Sequence, residues 1–114
     1  MNATRQGVDN VLGRFETAAE VAARQADWAE AHGRLADDTV AALIAAGIAR
    51  LYLPESLGGL EVDPVTCARV TERLALADPS AAWFVMVSNS AKLMAAAWPE
   101  PMVEHLLGDP DAVV

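Results

Sequence analysis

The sequence has one cysteine, few aromatic residues and half as many basic side chains as acidic ones. Cys67 has no second cysteine to pair with, so an internal disulfide is excluded, and a lone thiol fits a reducing cytoplasm. The chain carries 8 Lys and Arg against 16 Asp and Glu, a net charge of −8, and no segment gathers a basic stripe. Because binding to a phosphate backbone requires such a stripe, we expect no nucleic-acid partner.

Long apolar runs are also missing. A run such as "AAWFVMV" at 81–87, which no other run exceeds in length, is far short of the roughly 20 residues that cross a bilayer. The first ten residues, "MNATRQGVDN", contain no apolar segment of the kind found in export signals. The overall acidity disfavours attraction to an anionic membrane surface. These absences predict a soluble, cytoplasmic chain without a membrane partner.

What the sequence does contain is a helical pattern built from small apolar residues. Hydrophobic residues make up 54% of the 114 positions, but aromatic ones only 5%, which favours closely packed helices in one domain. Apolar residues recur at steps of three and four up to about His32, where Gly33 supplies a helix end. A second helix is predicted from about Asp37 to Ala46, ended by Gly47.

Three further helices are predicted from proline-containing starts. The pairs Asp63-Pro64 and Asp78-Pro79 each place a capping carboxylate before a residue suited to the first helical turn. The helix that begins at Pro79 and runs to about Trp98 is apolar almost all round, so we expect it to be buried at the centre. A last helix opens at Pro99 and closes at Gly108. The predicted fold class is all-α, an orthogonal or up-down bundle of about five helices.

The glycine pair Gly58-Gly59, within "LYLPESLGGLEVDP", raises the question of a nucleotide site. A phosphate loop would lead directly into a helix N-terminus and would supply a lysine or a third glycine. Here the next helix starts about five residues later, and its cap, Asp63, would repel a phosphate. We therefore interpret the pair as a turn that requires positive φ.

The two histidines, His32 and His105, lie near helix ends, where a favourable contact with the helix dipole explains them. They share no metal-ligand spacing with each other or with Cys67, so no metal site is predicted. Cys67 itself is interpreted as a small core residue on the apolar side of its helix.

A short polar stretch, Ser88-Asn89-Ser90, interrupts the most apolar helix. Buried polar groups must find hydrogen-bond partners or face water or a ligand. In one interpretation both serines bond to carbonyls of their own helix and Asn89 meets a neighbouring element. In the other, one helix face forms a pocket wall, with three-four spacing that aligns these substrate-binding candidates: Phe84, Val87, Ser88 and Ala91.

Several spaced motifs together resemble the N-terminal helical domain of the acyl-CoA dehydrogenase superfamily. "LADDTVAALIAAGI" is followed by "LYLPESLGGLEVDP", similar to the family's P-x-x-x-G-G turn, and by "LALADPSAAW", similar to its A-x-x-D-x-S-x-x-W step. The tail "LLGDPDAVV" looks like the lead into a β-domain. The resemblance implies a helical domain over residues 1–108 and a linker or first β-strand over 109–114.

The resemblance implies a flavin-dependent oxidoreductase whose catalytic base and main flavin contacts lie beyond residue 114, so that this chain alone would be inactive. It implies either FAD with α,β-dehydrogenation of acyl-CoA, or reduced FMN or FAD supplied by a flavin reductase for hydroxylation of an aromatic substrate. A homotetramer, and electron-transfer flavoprotein as a partner of the dehydrogenase branch, are implied as well. The four residues of the pocket-wall interpretation would then line the substrate cavity.

A second hypothesis is a stand-alone helical interaction module that kept the fold and has no catalytic role, since no catalytic half is present in these 114 residues. The two hypotheses differ in whether the reading frame continues past Val114 into strand-rich sequence and a helical bundle. In the enzyme hypothesis the apolar helix beginning at Pro79 would be partly covered by a β-domain. We then expect the 114-residue chain to expose an apolar patch and to associate.

Overall fold

Residues 2–113 contain five α-helices. The computed structural model describes the backbone of residues 2–113 and the side chains of residues 9–95 and 97–113. The helices are α1 (Asn2–His32), α2 (Asp37–Ala46), α3 (Pro64–Ala77), α4 (Pro79–Leu93) and α5 (Glu100–Leu107), with short 3-10 turns at Ile48–Arg50, Glu55–Leu57 and Ala95–Ala97. Residues 2–113 form no strand, and Val114, in the predicted linker or strand, lies outside the described residues. The predicted all-α fold is confirmed.

The helix ends follow local signals in the sequence. Gly33 and Gly47 adopt positive φ angles of 66° and 98°, and so end α1 and α2 in the left-handed conformation. Asp63 accepts a hydrogen bond of 2.7 Å from the Thr66 amide at the start of α3. Asp78 accepts one of 2.9 Å from the Ser80 amide at the start of α4. Each of these four boundaries was predictable from one or two neighbouring residues.

The end of α4 is the main boundary that differs. The predicted helix continued to about Trp98, but α4 ends at Leu93 and the chain tightens into the 3-10 turn Ala95–Ala97. Trp98 is extended, with φ −88° and ψ 150°. It precedes Pro99, and the proline ring disfavours the helical conformation in the residue before it.

The core lies where α3 packs between α1 and α4, and α2 packs on α1. Alanines on α1 and α4 are fully buried, so the helix backbones approach closely. Cys67 is buried in this core, as predicted. At the start of α3, Val65 is 64% exposed while the neighbouring Thr66 is buried. The largest side chains that are fully buried are Phe15, Leu43, Ile48, Leu51, Leu53, Leu74 and Leu107.

The molecule is thin, and α4 is packed against the rest of the described residues on one side only. Its principal extents are 41 × 35 × 18 Å, and the shortest is less than two helix diameters of about 10–12 Å each. The predicted burial of α4 holds for one side only: Ala81 and Val85 are fully buried, whereas Trp83 is 64% exposed. One face of this apolar helix therefore lies open, in line with the apolar patch expected for the 114-residue chain. Within residues 2–113 no helix combines the length and the apolar character needed to cross a membrane.

Candidate functional site

The open side of α4 is the candidate site, and we call it the outward face. Its members follow the three-four spacing of one helical stripe and all lie exposed: Trp83, Met86, Val87, Ser90 and Leu93. Trp83 is 64% exposed and Leu93 60% exposed, unusual values for large apolar side chains. None of the five side chains titrates near neutral pH. The outward face can therefore bind an apolar surface and exclude water, but it cannot move a proton.

The polar groups of α4, on both of its sides, are held in internal hydrogen bonds. Ser88 donates to the carbonyl of Phe84 at 2.6 Å and Ser90 to that of Met86 at 2.7 Å. The Asn89 side-chain amide donates to the carbonyls of Ile48 and Val85, at 2.8 Å each. These are the bonds expected from the interpretation in which both serines bond within the helix and Asn89 meets a neighbour.

The Asn89 side-chain oxygen finds no protein partner among the described residues, although the atom is buried. Both amide hydrogens of Asn89 are used, one of them on the 3-10 turn that follows α2. The amide orientation is fixed by these two acceptors, because the opposite orientation would set oxygen against oxygen. Asn89 thus serves as a link between α4 and that turn.

The four substrate-binding candidates do not share one environment. Val87 is 47% exposed on the outward face, whereas Ser88 is 1% exposed and faces the core. Phe84 and Ala91 are half-buried at the edge between the two sides. The candidate stripe is thus turned from the outward face by about 100°, which is the rotation of one residue. Contact of these four residues with a substrate stays a prediction.

Trp83, Met86 and Leu93 were missed because α4 is apolar nearly all round, so periodicity gave no direction for its faces. The direction is given only by long-range contacts. Lys92 and Asn89 bond to carbonyls of Ile48–Arg50 and so mark the buried side of α4. Trp83 lies on the opposite side of α4, where its ring is exposed.

The Gly58-Gly59 pair forms a turn, as predicted, and its amides are occupied. Gly58 has φ 84°, and its amide donates to Glu55 at 2.9 Å. Gly59 donates to the Pro54 carbonyl at 2.9 Å. A Cβ added to Gly59 would overlap the backbone carbonyl of Leu53, so close approach of the chain requires glycine there. With both amides engaged, the pair has no free donors for a phosphate.

Two basic side chains tie the C-terminal segment onto the helices. Arg50 donates from Nε and Nη2 to the two carboxylate oxygens of Asp111, at 2.8 and 3.0 Å. These hydrogen bonds lower the pKa of Asp111 and raise that of Arg50. Lys92 donates to the carbonyl of Ala112 at 3.0 Å. The segment after α5 is thus held beside the glycine turn, where Pro110 lies against Gly58.

The remaining titratable groups do not gather into a reactive cluster. Across residues 2–113, no three His, Cys, Asp or Glu side chains come close enough to hold a metal ion. His32 stacks on Trp28 with ring centroids 3.8 Å apart and bonds to the Trp28 carbonyl at 2.8 Å. Burial and a hydrogen bond with Cys67 raise the pKa of Tyr52 to about 12, so Tyr52 is neutral at physiological pH.

Comparison with known proteins gives a matching family model and two curated relatives. Residues 13–99 match the family model for the acyl-CoA dehydrogenase N-terminal domain. Indole-3-acetate monooxygenase from Pseudomonas putida is 34% identical over 76 residues, which are 67% of this chain and 20% of that protein. Pigment production hydroxylase from Rhodococcus erythropolis is 42% identical over 55 residues, which are 48% of this chain and 14% of that protein.

A solved structure shows the same fold. XiaF from Streptomyces sp., in complex with FADH2 and glycerol, superposes with a TM-score of 0.91 at 30% identity, over 98% of this chain and 28% of that one. The chain thus spans about a fifth of the first curated relative. The family is one of flavin-dependent, oxidoreductase-like proteins, the solved relative holds FADH2, and the two curated relatives are named as a monooxygenase and a hydroxylase. By the family match and by its helices, this chain belongs to the acyl-CoA dehydrogenase N-terminal domain family.

Proposed function

We propose that this chain is the helical N-terminal part of a flavin-dependent, monooxygenase-like oxidoreductase. In this proposal the outward face of α4 forms one wall of the cavity for a small aromatic substrate. The observation that carries the proposal is the exposure of Trp83, Met86 and Val87 side by side on a helix that is otherwise packed. An apolar stripe of this kind is unfavourable in contact with water, and it suits the wall of a cavity that another part of the enzyme closes.

The hydroxylase branch is favoured over the dehydrogenase branch by the names of the relatives. Both curated relatives are a monooxygenase or a hydroxylase, and one of them is named for indole-3-acetate. An exposed indole ring such as that of Trp83 offers a flat surface on which an aromatic ring can stack. A flavin reductase as the source of reduced flavin, and a homotetrameric enzyme, belong to the same proposal.

The described residues do not fit the phosphate part of a flavin nucleotide. The amides of the glycine turn are engaged in the chain's own hydrogen bonds. Arg50 and Arg73 are already paired with Asp111 and Glu16. In this proposal, other parts of the enzyme bind the flavin, and the described residues supply no catalytic group.

The test is an assay of the complete gene product rather than of this chain alone. The purified protein is supplied with reduced flavin from a flavin reductase, and product formation from indole-3-acetate and related aromatic acids is followed by mass spectrometry. Incorporation of one oxygen atom from labelled dioxygen supports the proposal. Oxidation of acyl-CoA to the enoyl product, without oxygen incorporation, would favour the dehydrogenase branch. Absence of flavin binding and of both activities would leave the interaction-module hypothesis.

A further inference from the structure

A cavity of about 340 Å³ lies between the end of α4, segment 52–57 and α5. Its walls are mainly apolar and include Leu57, Leu93 and Val103. The volume falls in the lower part of the range of about 300–1,000 Å³ that is typical of small-molecule sites. The cavity shares only Leu93 with the outward face of α4, so the two surfaces are separate.

One charged side chain, Lys92, lines this apolar cavity. It is 6% exposed, and its ammonium donates to the backbone carbonyls of Ala49 at 2.5 Å and Ala112 at 3.0 Å. An ammonium has three donor hydrogens. Two are used by these carbonyls, so one remains for a further acceptor.

The positive charge of Lys92 is the next feature of this cavity. No carboxylate of the described residues comes within ion-pair distance of its ammonium. The charge of Asp111 acts on Lys92, but both carboxylate oxygens of Asp111 accept hydrogen bonds from Arg50. Burial lowers the pKa of Lys92, which is the effect of an incompletely compensated cation, and Asp111 offsets it only in part. A buried cation in an apolar wall favours an anionic group beside it.

We propose that this cavity binds a small amphipathic monocarboxylate, distinct from the substrate on the outward face of α4. The carboxylate accepts the remaining hydrogen of Lys92, and a short apolar chain or single ring packs against Leu57 and Val103. The charge selects anions over neutral molecules of the same shape. This binding site uses no flavin contact and does not depend on the proposed enzyme activity.

The experiment compares hexanoate with 1-hexanol, which has the same chain without the charge. Each is titrated into the 15N-labelled chain and followed by NMR. Hexanoate should bind saturably, with shifts centred on the amides of Leu57, Lys92 and Val103, and roughly tenfold or more tightly than 1-hexanol. Lys92→Met should abolish this difference between the two probes.

A second pair of variants keeps the test decisive if Lys92→Met does not fold. Val103→Trp fills the cavity and should weaken binding of both probes, whereas Met102→Trp adds the same ring to the exposed neighbour on α5 and should leave binding unchanged. The proposal is overturned if hexanoate and 1-hexanol bind the unaltered chain equally. It is also overturned if Val103→Trp has no effect, or if the shifts centre on Trp83 and Met86.

Discussion

Arg50 and Asp111, 61 positions apart in the sequence, are joined by two parallel hydrogen bonds of 2.8 and 3.0 Å. Arg50 belongs to the short turn after α2, and Asp111 to the segment that follows α5. A bidentate pair fixes the relative orientation of the two groups as well as their distance. The pair therefore sets the direction in which the chain runs after the last helix.

This pair predicts a specific loss of stability in acid. Arg50 lowers the pKa of Asp111 in the folded state, so the pair contributes its full stability above the ordinary Asp pKa of about 3.9. That contribution disappears as the pH falls through the lower, folded value. Thermal melts of Asp111→Asn should lie below those of the unaltered chain at pH 6, and the gap should narrow progressively as the pH falls below about 3.9.

The control for this series is Glu30→Gln, which removes an exposed carboxylate of α1. It should track the unaltered chain at every pH. A melting difference for Asp111→Asn that stays constant down to pH 2.5, or none at pH 6, would contradict the role given to the ion pair.

Three glycine variants should distinguish two reasons why a position requires glycine, which are steric overlap of a Cβ and a positive φ. Gly59→Ala should be the most destabilising, because its Cβ would overlap the Leu53 carbonyl. Gly58→Ala should cost about 1 kcal/mol, from a φ of 84° that L-residues rarely adopt. Gly13→Ala, in the middle of α1 with open space around the new Cβ, should instead stabilise by about 0.5–1 kcal/mol. Urea unfolding measures all three, and equal effects of Gly59→Ala and Gly13→Ala would refute the steric argument.

Two adjacent polar residues of α4 should differ sharply when replaced. Asn89→Leu leaves the Ile48 carbonyl without its donor in a buried site and should cost about 1–3 kcal/mol in the free energy of unfolding. Ser90→Ala removes only a bond to the helix's own carbonyl at an exposed position and should change stability by less than about 0.5 kcal/mol. Similar losses for both variants would show that the link between α4 and the turn carries little energy.

The outward face of α4 should make the 114-residue chain associate. Its exposed apolar residues gain by burial against a second copy when no other surface covers them. Sedimentation velocity should show concentration-dependent self-association that Trp83→Gln weakens. Leu76→Gln, at a 79% exposed position on α3, is the matched control and should leave the association intact. A monomer at all concentrations, without binding of an apolar dye, is the result that this prediction does not allow.

The parts of the fold that could be predicted from the sequence are those decided by neighbouring residues. Gly33 and Gly47 end helices because their own backbones adopt positive φ. Asp63 and Asp78 begin helices because a carboxylate bonds to an amide two or three residues later. Such signals act within about one helical turn, so they set the helix ends independently of tertiary packing.

The parts that could not be predicted depend on distant residues. The Arg50–Asp111 pair spans 61 positions, and no local pattern links the two. The orientation of α4 is decided by the anchoring of Asn89 and Lys92 on the carbonyls of Ile48 and Ala49. In a helix that is apolar all round, hydrophobic periodicity carries no information about direction, so the four candidate residues and the outward face differ by a rotation of about one residue.

The central claim, that the outward face of α4 is a wall of the substrate cavity, is tested most directly by comparing KM in the complete enzyme. Trp83→Ala removes the largest exposed side chain of the outward face, and Leu76→Ala removes an exposed apolar side chain of α3. With the aromatic substrate, Trp83→Ala should raise KM by roughly tenfold, the loss of one stacked ring and its buried area, while Leu76→Ala leaves KM unchanged. Equal KM values for both variants and the unaltered enzyme would contradict the account.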